Sequence, residues 1–199
     1  VEVQRCPFRD VPGVLPFLQQ WDGPPLPRYK FLVLVGPSRT GKTMYARQLL
    51  GDASRVLELN CASGNEPDLR AWDADDHDGI LFDEARPAMV LAQKKLFQAQ
   101  PSWVELGSST TNCHSYKVML AMQKLMVCSN TWQEDMQDLT AADTEWIQSN
   151  QVLVEIEHPL WIEGAALGEP VSAEPSASSA PPALALSEDE ITFSQGSEL

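Results

Sequence analysis

The sequence predicts an α/β protein in which a mostly parallel central sheet is covered by helices on both faces, as a three-layer sandwich. Two observations support this class. The strand-like segments are apolar almost throughout, as at residues 31–35 and 124–129, which is typical of strands buried on both faces. Segments with apolar residues at helical spacing lie between them, and this alternation indicates an α/β layered domain.

The individual elements follow from residue type and spacing. Strands are predicted where short apolar runs are bounded by turn residues, and helices where apolar residues recur every three to four positions. The predicted strands cover residues 31–35, 55–59, 80–83, 103–106 and 124–129, and the predicted helices cover residues 42–50, 87–99 and 141–149.

Composition divides the 199-residue chain into three parts. Residues 1–28 hold a short amphipathic segment among prolines and are predicted to be an N-terminal helical or linker extension. Residues 29–158 are the predicted folded domain. Residues 159–199 are rich in Pro, Ser, Ala and Glu and cannot bury much apolar surface, so they are predicted to be a disordered acidic tail. Because the first residue is Val1 rather than methionine, we expect the chain to be part of a longer protein.

The chain is strongly acidic. Fourteen Lys and Arg residues face twenty-eight Asp and Glu residues, which gives a formal net charge of −14. The segment from residue 164 onward holds six acids and no base, and the remainder still carries 14 basic against 22 acidic residues. This balance argues against a broad surface that binds nucleic-acid phosphates.

Targeting and redox signals are weak. The sequence has no apolar run of about 18 residues, and its N-terminus lacks the basic-then-apolar layout of a signal peptide. Its four cysteines show neither CxxC spacing nor a regular framework, so neither a zinc site nor a disulfide scaffold is indicated. We therefore expect a soluble, intracellular protein, and the sequence does not distinguish nucleus from cytoplasm.

A glycine-bounded loop gives the strongest functional signal. The stretch "GPSRTGKT" follows an apolar strand, precedes a helical pattern and fits G-x-x-x-x-G-K-[ST]. In such a loop the backbone N–H groups point at phosphates, the lysine reaches the β- and γ-phosphates, and the final hydroxyl ligates Mg²⁺. The alternative is a structural turn that only resembles the motif. The predicted nucleotide-binding residues are Gly36, Pro37, Ser38, Arg39, Thr40, Gly41, Lys42 and Thr43, with Thr43 also a magnesium ligand.

Two later strand ends carry polar side chains. The stretch "GILFDEA" ends a predicted strand in Asp83 and Glu84, and phosphoryl transfer needs one acid to hold Mg²⁺ and one to polarise the attacking water. Asp83 is the predicted metal ligand and Glu84 the predicted base, with a solvated acidic turn as the alternative. The stretch "KLMVCSN" ends in Asn130, which would sense the γ-phosphate or orient the water if its strand lies beside the first strand in a parallel sheet.

The order and spacing of these three motifs resemble the superfamily 3 helicase domain of viral replication-initiator (Rep) proteins, in particular those of small single-stranded DNA viruses. The resemblance covers about residues 29–158. It implies an AAA+-related P-loop ATPase that forms a hexameric ring and uses ATP, with Mg²⁺, to move along DNA. By this resemblance residues 36–43 are Walker A, Asp83 and Glu84 are Walker B, and Asn130 is the motif C sensor.

Two departures from that family argue against ATP-driven movement along DNA. The segment that would carry a lysine-bearing DNA-binding hairpin offers only His114 and Lys117 as DNA contacts. The family's arginine finger follows motif C, but the last arginine here is Arg86. Because an arginine finger supplies about 10³ to 10⁵ in rate, we expect ATP to be bound well and hydrolysed slowly, unless a partner chain supplies the finger.

Other function classes fit part of the sequence. A nucleotide-dependent interaction module, derived from such a helicase but without motor activity, keeps the loop and explains the acidic surface. A small-molecule kinase is less favoured, because its lid would need arginines that the chain lacks beyond Arg86. Single-stranded DNA binding is expected to be weak, with a salt dependence equivalent to about one to three phosphates per subunit.

Overall fold

The computed structural model describes residues 8–64, 66–107 and 115–162. His114 and most of the predicted acidic tail lie outside the described residues. The chain divides into two units, residues 1–167 and residues 168–199, and the second unit lies wholly outside the described residues.

The centre of the first unit is a parallel sheet. Within the described ranges the strands are β1 (Phe31–Val35), β2 (Val56–Asn60), β3 (Gly79–Asp83), β4 (Ser102–Leu106), β5 (Tyr116–Leu120), β6 (Lys124–Ser129) and β7 (Gln151–Glu155). Five of these described strands form one sheet in the order β2-β3-β6-β1-β7, and every neighbouring pair in it is parallel. The predicted parallel sheet is therefore confirmed.

Alternate residues of the inner strands face opposite sides of this sheet. In β1, Phe31 and Val33 belong to one hydrophobic cluster, whereas Leu32 and Leu34 belong to another. β3 and β6 divide their side chains in the same way. A strand covered on both faces can be apolar at every position, which explains the uninterrupted "FLVLV" of β1 and confirms the three-layer prediction.

Helices cover both faces of the sheet. Those of the described residues are α1 (Leu15–Leu18), α2 (Lys42–Leu49), α3 (Pro87–Ala92), α4 (Lys94–Phe97), α5 (Trp132–Gln137) and α6 (Ala141–Asn150). On one face α1 and α2 contribute buried side chains such as Phe17 and Ala46. On the other face α4 and α6 contribute Phe97 and Ile147. The N-terminal segment around α1 thus packs onto the domain that follows it.

The helix predicted over residues 87–99 is in fact two short helices. Gln93 has φ −118° and ψ 37°, which is not helical, so α3 ends before it and α4 begins after it. Ala99 has a positive φ of 45° and lies beyond the end of α4. The stretch contains neither glycine nor an internal proline, so its residue types do not predict the break.

β4 and β5 form an antiparallel hairpin apart from the central sheet. Val104 and Val118 are buried against the core, whereas their neighbours Trp103 and Met119 face outward. The strand predicted at residues 103–106 therefore exists, but it does not belong to the parallel sheet. Among the described residues, no helix is long and apolar enough to cross a membrane.

Candidate nucleotide-binding site

The predicted phosphate loop connects β1 to α2 at the carboxyl end of the sheet. Gly36 follows β1 directly, with φ 155°, and a side-chain carbon at this position would lie 2.0 Å from the backbone oxygen of Ile156. Gly41 has φ 88° and immediately precedes Lys42, the first residue of α2. Both positions therefore require glycine, one because of a close backbone approach and the other because of its left-handed conformation.

The loop residues between the glycines have different environments. Pro37, Ser38 and Arg39 are exposed, and Arg39 has a positive φ of 65°. Thr40 is buried, and its Oγ1 donates a hydrogen bond of 2.9 Å to the backbone oxygen of Pro37. Thr40 therefore stabilises the curled backbone from within, which leaves ligand contacts to the backbone N–H groups of the loop.

Lys42 is buried at the base of the loop, with only 6% of its surface exposed. Its Nζ donates to the backbone oxygens of Gly36 and Pro37, both at 2.8 Å, and to Oδ1 of Asn130 at 2.9 Å. Burial lowers the pKa of Lys42, while the nearby Glu84 carboxylate acts to raise it. The cation is thus held by oxygen acceptors from two strand ends, and a phosphate oxygen would offer it a charged acceptor in addition.

Thr43 and Asp83 form the metal-binding part of the prediction. Oγ1 of Thr43 donates to Oδ1 of Asp83 at 3.0 Å, which joins the start of α2 to the end of β3. Mg²⁺ in nucleotide sites is usually held by one or two protein oxygens together with phosphates and water. A hydroxyl and a carboxylate in contact beside a phosphate loop fit that ligand set.

Glu84 and Asn130 complete the arrangement. Nδ2 of Asn130 donates to Oε1 of Glu84 at 2.7 Å, so the Asn130 amide connects Lys42 on one side to Glu84 on the other. Glu84 has a positive φ of 56°, a strained conformation for a residue with a side chain. We call Lys42, Thr43, Asp83, Glu84 and Asn130 the strand-end cluster.

Sheet register explains why these side chains meet. β6 lies between β1 and β3, with Val35 beside Ser129 and Asp83 beside Cys128. The residues that follow β1, β3 and β6 therefore emerge at the same edge of the sheet. The condition on which the Asn130 prediction depended, a strand parallel to and beside the first strand, is met. The described residues thus form a three-layer α/β fold in which a glycine-bounded loop follows the inner strand β1.

An acidic cleft adjoins one side of the loop. A cavity of about 410 Å³ extends from Gly36 and Pro37 past Asn130, and its wall carries Glu134, Glu155 and Glu157. The cleft was not predicted from the sequence, because β7, which carries Glu155, was not predicted. The alternation of "QVLVE" at residues 151–155 was the only signal for that strand.

Lys117, one of the two predicted DNA contacts, is not part of this arrangement. Lys117 lies on β5 of the hairpin, where it is exposed and paired in register with Glu105 of β4. His114 falls outside the described residues. Lys117 as a DNA contact therefore stays a prediction, and so does His114.

Two of the solved structures that are similar to this chain share 16% sequence identity with it. No protein-family model matches the chain, and no curated protein matches it. One similar solved structure is NtrX from Brucella abortus in complex with ATP, at 16% identity and a TM-score of 0.38, covering 65% of this chain and 34% of that one. Another is the S. cerevisiae Hsp104–ADP complex, at 16% identity and a TM-score of 0.42, covering 73% of this chain and 32% of that one. The chain spans about a third of the length of each.

Proposed function

We propose that this chain is an ATP-binding domain of the Rep-like superfamily 3 type, which binds Mg-ATP and hydrolyses it slowly. One observation carries the proposal: the strand-end cluster joins the phosphate-loop lysine and threonine to both acids and the amide of the following motifs by hydrogen bonds of 2.7–3.0 Å. A structural turn with a chance match to the loop motif would not bring these groups together.

Each member of the strand-end cluster takes a distinct role in this proposal. The backbone N–H groups of the loop and Lys42 bind the phosphates, and Thr43 with Asp83 holds the magnesium. Bound Mg²⁺ would neutralise charge that develops on the phosphates. Glu84 accepts the proton of the attacking water, and Asn130 keeps Glu84 and the water in position.

The proposed rate of ATP hydrolysis is low because the chain lacks an arginine finger. Its sequence has no arginine after Arg86, and a finger is worth about 10³ to 10⁵ in rate. A different partner chain would restore that rate, with or without a homo-hexamer of this chain, by inserting an arginine beside the phosphates. The acidic cleft next to Gly36, with Glu134 and Glu155 on its wall, would attract such a basic side chain.

Calorimetric titration with Mg-ATP tests the binding proposal. Lys42→Ala removes charge-assisted hydrogen bonds to the phosphates, and we expect it to weaken binding by about 100-fold or more. Lys30→Ala is the matched control, because Lys30 is exposed just before β1, and it should bind as the wild type does. Equal affinities of Lys42→Ala and wild type, or no binding by either, would overturn the proposal.

A second candidate function is a nucleotide-dependent interaction module without motor activity. The acidic cleft favours it, since this surface beside the nucleotide site suits a basic protein partner and repels DNA. Turnover measured with single-stranded DNA, and separately with candidate partner proteins, distinguishes the two. Stimulation by DNA supports the helicase proposal, and stimulation by a protein alone supports the module.

A further inference from the structure

Two chain segments that are far apart in sequence meet beside the phosphate loop. Phe8 and Trp161 form an antiparallel bridge, and the backbone N–H of Arg9 donates to the oxygen of Leu160 at 2.7 Å. The N–H of Leu160 in turn donates to the backbone oxygen of Thr40 at 2.9 Å. The segment that follows β7 is thus tied directly to the loop.

This connection places an indole ring against the loop backbone. A side-chain carbon at Gly41 would lie 3.0 Å from Cε3 of Trp161 and 3.7 Å from Cε1 of Phe8. The Phe8 ring packs edge-to-face on Tyr45 of α2, with ring centroids 5.4 Å apart. Tyr45 is buried, so Phe8 has a fixed support and Trp161 lies beside it.

Trp161 is nevertheless not a core residue. It is 37% exposed, and Met44, in the first turn of α2, is 51% exposed. Trp132, by contrast, is fully buried in the core. A large aromatic ring that stays partly exposed beside a loop of backbone donors has surface available for a planar ligand.

We propose that Trp161, supported by Phe8, is the surface on which the base of the bound nucleotide stacks. The inference rests on the proposed function, which places the triphosphate in the loop between Gly36 and Thr43. The nucleoside must extend beyond the loop, and Trp161 offers an aromatic ring beside the loop at Gly41.

Stacking on this ring would add affinity without reading base edges. Every base has a π-face, so aromatic stacking tolerates different bases. The base subsite therefore contributes to the affinity for the whole nucleotide, whereas the loop and the proposed magnesium ligands determine the affinity for the phosphate chain. This separation makes the two contributions measurable with two ligands.

The test compares Mg-ATP with magnesium tripolyphosphate by calorimetry on the same chain. We expect Trp161→Ala to weaken ATP binding by about 5- to 150-fold and to leave tripolyphosphate binding within about twofold. Trp161→Phe keeps an aromatic face and should recover most of the loss. Trp103→Ala is the matched control, because Trp103 is 59% exposed on the β4–β5 hairpin, and it should change neither affinity.

Several outcomes would overturn the base-stacking proposal. Equal weakening of both ligands by Trp161→Ala would mean that the indole only supports the loop. Equal tightening would mean that it covers the loop, and no change in either would mean that it does not touch the nucleotide. If wild type binds tripolyphosphate and ATP equally well, the base subsite fails while the loop function stands; if wild type binds neither, both proposals fail.

Discussion

The polar side chains of the strand-end cluster are hydrogen-bonded to one another, whereas the β4–β5 hairpin exposes large apolar side chains and a charged pair. In the cluster, every member has a hydrogen-bond partner within the cluster at 3.0 Å or less. On the hairpin, Trp103 is 59% and Met119 41% exposed, and the cation Lys117 lies opposite the acid Glu105. A phosphate loop needs one buried lysine and its own backbone, whereas a DNA-binding surface needs several exposed cations. An acidic chain can therefore have a phosphate loop and lack a DNA-binding surface.

The largest effect is expected from a substitution that disturbs the backbone beside the strand-end cluster, and it is a loss of folding stability. Gly36→Ala places a carbon about 2.0 Å from the oxygen of Ile156, so we expect a loss of at least about 3 kcal/mol in the free energy of unfolding. Thermal unfolding should then shift down by about 10 °C. Gly23→Ala is the control, because a side-chain carbon at Gly23 meets nothing within 4 Å. Equal melting temperatures for the two variants would contradict the described loop geometry.

Removing the proposed base should affect chemistry but not binding. Glu84→Gln keeps an oxygen that can accept from Nδ2 of Asn130, so ATP affinity should change little. Turnover should fall by about 10²- to 10⁴-fold, the usual contribution of a general base. The comparison is steady-state phosphate release against calorimetric affinity, with exposed Glu145→Gln of α6 as the control. Unchanged turnover would remove Glu84 from the mechanism.

The affinity of the chain for single-stranded DNA tests whether the β4–β5 hairpin binds nucleic acid. We expect weak binding whose logarithm falls with log salt at a slope of about −0.7 to −2, equivalent to one to three phosphates. Lys117→Ala should reduce that slope by about 0.7 and leave ATP affinity unchanged. A steep slope with tight binding would contradict the prediction of weak DNA binding.

The smallest effect on stability is expected at the end of the sheet opposite to the strand-end cluster, where Arg55 pairs with Asp78. The guanidinium donates to both carboxylate oxygens, at 2.9 and 3.0 Å, and this hydrogen bonding lowers the pKa of Asp78. The native state thus favours the carboxylate, so the pair contributes stability above the ordinary aspartate pKa of about 3.9 and loses it as pH falls through the lowered value.

Thermal unfolding at two pH values tests this pair. Both side chains are 40% exposed, so solvent and salt screen the pair and the effect should be small. Asp78→Asn should lower the melting temperature slightly at pH 7 in low salt, and the difference should shrink at pH 3 and in 1 M salt. Asp138→Asn, exposed at the end of α5, is the control. A difference that grows at low pH would contradict the sign of the pKa shift.

The sequence predicted those parts of the molecule that follow local rules. β1 and β6 are continuous apolar runs, and the phosphate loop has a required residue type at each key position. The strand-end positions of Asp83, Glu84 and Asn130 then followed from the geometry of parallel sheets. These features depend on short segments and on one general rule of topology, so no long-range contact had to be known.

The parts that the sequence did not predict depend on tertiary contacts. β5 and β7 are five-residue strands with exposed alternate positions, α5 has six residues, and Gln93 interrupts a helix without any breaking residue. The bridge between Phe8 and Trp161 joins residues at opposite ends of the described chain. No periodicity in a single segment indicates such a contact, and the acidic cleft was missed for the same reason.

The contacts of β1 and the loop with the segment that follows β7 have a consequence for synthesis of the chain. The N–H of Ile156 donates to the oxygen of Val35, and the N–H of Leu160 donates to the oxygen of Thr40, across about 120 residues. At roughly 5–20 residues per second, the ribosome takes about 6 to 24 s to make that interval. Until then the edge of β1 that pairs with β7 has no neighbour, and it is open to aggregation or to chaperones.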